Sequence, residues 1–228
     1  MAKYVQEALV MLIAAPSTST ALADPIIWDQ PADPTAVAAS SENDTSGSFG
    51  HFSTTYDDFI FANGATITDV HWTGAFFDSA ETGNPTGFTI TFWADAGGTP
   101  GAALLSEHFN GDAGQTAHSP ACTVNPCFDY QIDPLTAGFV AAPGTRYWMS
   151  IVADQGFPPN WGLQEATGGN GNGVSVQDFF GARSTIQSDV AFSLSGTLGN
   201  GGTVPEPATL ALLGIGLAGL GFLRRQRK

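Results

Sequence analysis

Charge is scarce in this 228-residue chain, and positive charge is almost missing from its interior. Asp, Glu, Lys and Arg make up 12% of residues, about half the usual share. From Asp24 to Val204 there are 19 acidic residues and only Arg146 and Arg183 to offset them, a net charge of −17. Nucleic-acid binding needs Lys and Arg to displace phosphate counterions, so it is excluded. The helix formers Lys, Glu and Arg are few, which argues against a helical cytosolic enzyme. No G-x-S-x-G elbow, H-E-x-x-H, P-loop or EF-hand loop is present, and the spacing of His51, His71, His108 and His118 supports no catalytic triad. On these grounds no catalytic residues are assigned. Plentiful instead are 28 glycines and 14 prolines, the residues of turns.

The two ends read as addresses. Residues 1–23 form a secretory signal: Lys3 as a thin positive region, an apolar run from Ala8 to Ala15, and an A-x-A cleavage site at Ala21 and Ala23 before Asp24. Pro16 and the run Ser17 to Thr20 would end a buried core helix early. At the other end Pro205-Glu206-Pro207 precedes sixteen uncharged residues, Ala208 to Leu223, and the basic tail Arg224, Arg225, Arg227 and Lys228. Sixteen helical residues span about 24 Å, a little short of a roughly 30 Å hydrocarbon core. The basic tail places the C-terminus on the cytoplasmic side of an inner membrane and everything upstream outside.

Residues 204–228 resemble the PEP-CTERM sorting signal of exported bacterial proteins in all three parts: the Pro-Glu-Pro motif, the short apolar helix and the Arg-rich tail. The resemblance implies an exosortase substrate, handled first by the Sec and signal-peptidase machinery and cut near Pro205, Glu206 and Pro207. It further implies a Gram-negative host that makes exopolysaccharide, with delivery to the surface or matrix. The two prolines keep the motif extended and outside the helix, where a protease can bind it as a strand.

Between the ends, 24–49 reads as a polar leader, loose or partly docked, with Ile26-Ile27-Trp28 as a possible edge strand. From residue 50 to 203, short β-rich runs alternate with Gly, Pro, Asn and Asp clusters. Candidate strands are 58–61, 66–77, 87–93, 103–109, 128–132, 146–153, 173–179 and 189–195. Their spacing predicts an all-β domain, a single antiparallel β-sandwich flanked by the signal helix and a C-terminal transmembrane helix. The segment from Tyr56 to Thr197 also looks similar to a recurring sandwich region of PEP-CTERM proteins. It carries Asp57-Asp58-Phe59, Trp72, the run Phe88 to Asp95, Pro100-Gly101, Tyr147-Trp148 and Asp189 to Phe192. That resemblance implies a jelly-roll-like fold and no established activity.

Four features of the domain bear on function. Cys122 and Cys127 stand five residues apart and are expected to form a disulfide in an oxidising compartment; with only His118 nearby, zinc lacks ligands. Asp57, Asp58 and Asp95 are the best candidates for calcium, against a plain turn or solvation role. The run 168–176 is only similar to one nonapeptide of a calcium β-roll: Gly173 stands where Asp is needed, there is no second copy, and composition alone accounts for the likeness. Trp72 and Trp148 read as core, whereas Trp161, after Pro158-Pro159-Asn160, reads as an exposed platform for a sugar ring. The resulting expectation is a non-catalytic structural or adhesive component of an exopolysaccharide-rich matrix. A calcium-dependent carbohydrate-binding module is the alternative, and a secreted hydrolase the third reading.

Overall fold

In a computed structural model the described residues are 24–77 and 82–199. The expected signal helix and the sorting segment lie outside them. Among the described residues there is no helix, and sixteen strands form two eight-stranded sheets.

The first sheet is built on β6 (Ala65–Phe76), the longest strand. Along one side of β6 run β16 (Phe192–Leu198) and β13 (Trp161–Gln164), backed by β1 (Ile26–Gln30) and β2 (Ala38–Ser40). Along the other run β11 (Phe139–Ala141) and β10 (Cys127–Ile132), followed by β9 (Thr116–Ala117). The second sheet is built on β12 (Arg146–Gln155). One side pairs with β7 (Gly87–Asp95) and then β8 (Pro100–Asn110). The other pairs with β5 (Ser53–Ile60) and β3 (Glu42–Asp44). Beyond these lie β14 (Ser175–Phe179), β15 (Ala182–Ile186) and β4 (Gly50–His51).

Strand alternation explains the core. On β7, Phe88, Ile90 and Phe92 point inward while Thr89, Thr91 and Trp93 point outward, and β12 sends Met149, Ile151 and Ala153 the same way. They meet Ile67, Val70, Trp72, Tyr130, Phe192 and Leu194 of the first sheet in one apolar cluster, a β-sandwich-like arrangement. Inward parity on β6 shifts between Ile67 and Val70 because a bulge opposite Ser195 and Gly196 adds a residue. Trp72 is core as expected. Trp148 is buried too, but on the outer face of the second sheet, in a satellite cluster with Tyr56, Val176 and Trp93.

Two expectations are corrected. The sheets are not wholly antiparallel, since β3 pairs with β12 in parallel. Residues 24–49 are not a loose leader: the edge strand expected at Ile26-Ile27-Trp28 is present as β1, but β3 also enters the second sheet, and Trp28, Gln30, Ala39, Ser41 and Glu42 are buried. The segment's polarity hid this, because its Ser, Gln and Glu side chains bond to the body of the domain. Ser41 Oγ donates to Ile151 O, and Gln30 Nε2 to Asp57.

Candidate functional site

Strand parity turns a polar face outward on the first sheet. With Val70 and Trp72 inward, His71 and Thr73 of β6 must point out. Pairing sets Ser193 and Gln131 beside His71, and Asp29 beside Ser193, so Asp29, Ser193, His71 and Gln131 form a row across four strands. One step along, Thr73 faces Asp129 and Asp129 faces Thr116. These residues, with His118 and Gly114, line an open groove of about 440 Å³. Asp129 Oδ1 accepts from Thr73 Oγ1 at 2.8 Å and from His118 Nδ1 at 2.7 Å. An ionised carboxylate can only accept, so His118 Nδ1 is the donor of that pair. Such a lining of hydroxyl, amide, imidazole and carboxylate groups can exchange hydrogen bonds with a polyhydroxylated ligand.

The residues singled out from sequence stand elsewhere. Trp161 is not an exposed platform: it is fully buried on β13, its Nε1 donating to Tyr130 Oη and its backbone N to Glu42 Oε2. Gly74 makes room for it, since a Cβ there would lie 2.2 Å from the indole. The Pro-Pro-Asn loop ends one residue earlier than the platform reading needs.

Asp57 and Asp58 are neighbours on β5 and therefore point to opposite faces, so they cannot share an ion. Asp57 is buried between the sheets and accepts from Gln30 Nε2, Val190 N and Asp58 N. Burial pushes its pKa up, against those three donors. Asp58 pairs with Arg146 and accepts from Asn172, and burial raises its pKa as well. Asp95 accepts from Gly97 N, Gly98 N and Trp148 Nε1, closing its turn. Among the described residues no three His, Cys, Asp or Glu side chains gather as a metal-ligand set.

The run 168–173 is a latch. Asn172, Gly173 and Val174 donate backbone N–H groups to Asp189, and Asn170 N donates to Asp29 O. Gly171 passes so close that a Cβ would sit 2.0 Å from Asp189 Oδ2. Cys122 and Cys127 are joined as a disulfide, which closes the loop entering β10 beside the groove. The groove residues were partly legible, because alternation on β6 implies His71 and Thr73 outward. Nothing local announces that β10, β16 and β1 complete the row.

Fold and groove together define a two-sheet, all-β protein with a polar groove on one outer face. Its sequence matches, over residues 26–194, the family described as a domain of unknown function, DUF7901. The chain belongs to that family, and the match begins at β1, which places the former leader inside the domain. Residues 203–228 match the PEP-CTERM protein-sorting motif. The protein is therefore an exported, exosortase-sorted protein with a membrane-anchored precursor. Neither the curated proteins nor the solved structures hold a match to the chain.

Proposed function

We propose that this protein is a non-catalytic component of the cell surface or extracellular matrix of a Gram-negative bacterium, associated with exopolysaccharide. The observation that carries the reading is the polar row Asp29, Ser193, His71 and Gln131 on a protein addressed for export. A rigid, jelly-roll-like sandwich is a suitable scaffold for such a row. The Asp129–His118 pair orients an imidazole, but Thr73 Oγ1 donates to Asp129 rather than to His118, so no activated nucleophile is assembled there. The acidic surface repels an anionic polymer unless divalent ions, calcium foremost, bridge the two. The exported protein is expected to co-sediment saturably with the host's exopolysaccharide, and His71→Ala with Gln131→Ala to weaken this about tenfold. Chelator should abolish binding to an anionic polymer. No binding with or without calcium would overturn the proposal, and turnover of a polysaccharide or ester panel would replace it with a hydrolase.

A further inference from the structure

Five phenylalanines cluster at one end of the second sheet. Phe49, Phe179 and Phe180 are 49%, 41% and 58% exposed, around buried Phe52 and half-buried Phe157. Their ring centroids lie 4.9–6.1 Å apart, mostly edge to face. Phe180 stacks on Phe52 at 5.3 Å and 26°, so one ring face is covered and the other is turned to solvent.

The cap is held in shape from beneath. Asp44, itself buried, accepts from Ser46 N and Oγ, Phe49 N and Phe157 N, tying together the segments that carry two of the rings. Phe180 N donates to Phe52 O. Phe180 also occupies the left-handed region, with φ 48°, in the two-residue turn between β14 and β15. That position favours Asn or Gly, and an exposed aromatic there works against folding. Turn geometry does not call for a ring at this point, and covering Phe52 uses only one of its two faces.

The cap's location and size narrow its occupant. The last described residue is Gly199, whose N donates to Gly64 O in the β5–β6 turn. Phe52 and Phe179 stand at the opposite end of β5, eight residues and about 26 Å away. The cap therefore lies at the opposite end of β5 from Gly199. With about 200 Å² per ring, the three exposed rings offer roughly 300 Å², well short of the roughly 800 Å² per partner of a stable interface. The rings alone are too small a patch to hold a second copy, and a few sugar rings fit. The domain's net negative charge disfavours an anionic ligand, and the cap's ring faces carry no cation to attract one.

We propose that this cap is a glycan-binding site for neutral, equatorially linked hexopyranose chains, whose flat C–H faces stack on Phe180 and Phe49. It rests on the proposed association with polysaccharide and adds a site distinct from the groove. The test uses the full exported chain and cellohexaose, followed by calorimetry and by saturation transfer from phenylalanine protons. Phe180→Asn relieves the left-handed strain while giving up the stacking on Phe52, so it should remain folded by thermal melting while binding at least tenfold more weakly. Phe49→Ala should also weaken binding, and Val140→Ala, an exposed apolar position at the other end of the domain, should not. Absence of cellohexaose binding, or unchanged binding by Phe180→Asn, would overturn the site. A dimer abolished by Phe180→Asn would reassign the cap to self-association. Sedimentation with the host polymer but no cellohexaose binding would defeat the cap alone; the converse would defeat the proposed function alone.

Discussion

Glu42 has both carboxyl oxygens shielded from water. Oε2 accepts from Trp161 N and Gln155 Nε2, while Oε1 has no donor and neither does Oε1 of Gln155. Burial raises this carboxyl from 4.5 to about 7, with Asp44 adding repulsion. Because the folded value is the higher one, the folded state holds the carboxyl proton more tightly than the unfolded chain. The stability it contributes is fully present below about 4.5 and is lost as pH rises to about 7. Asp44 and Asp178 act in the opposite sense: hydrogen bonds from Ser46 and from Arg183 lower them, so their contribution is lost in strong acid. Melting temperatures should therefore decline from pH 5 to pH 7.5. Glu42→Gln should flatten most of it and leave the protein about 1 kcal/mol more stable at pH 7.5. An unchanged pH profile in Glu42→Gln would show that the carboxyl is ionised in the fold. None of this is visible locally, since Glu42 looks like any polar residue of a loop-rich segment until β3 docks on β12 and β13 brings Trp161 over it.

At the scale of elements, the strands with β-rich runs between turn clusters were legible. The eight candidates overlap β5, β6, β7, β8, β10, β12, β14 and β16. Those that were missed are short or polar: β2 and β3 have three residues each, and β13 reads Trp-Gly-Leu-Gln after two prolines. Such segments become strands because neighbours supply their hydrogen bonds, an override that no local preference encodes. The disulfide is the opposite case, since a five-residue separation in an exported chain is enough to predict it. It closes a short loop, so Cys122→Ser with Cys127→Ser should cost only about 2 kcal/mol. Chemical denaturation would measure this. A loss of several times that size would mean the loop nucleates β9 and β10 pairing rather than merely stapling a turn.

For the whole molecule, sorting is the property most open to a direct test. Replacing Pro205, Glu206 and Pro207 by Ala should leave an unshortened, membrane-associated precursor, read as loss of the mass difference between cell-bound and exported forms. A fully processed variant would separate export from the motif. Linear order alone determined the sorting motif, the acidic character, the all-β class and the disulfide, because each depends on composition or on residues adjacent in the chain. Tertiary structure decided everything that requires distant segments to meet. It put Trp161 in the core, Asp57 and Asp58 on opposite faces, the former leader into both sheets, the polar row across four strands, and five phenylalanines onto one end. The reason is physical: a strand's period of two says which residues share a face, but only pairing and sheet packing say which face meets water and what lies beside it.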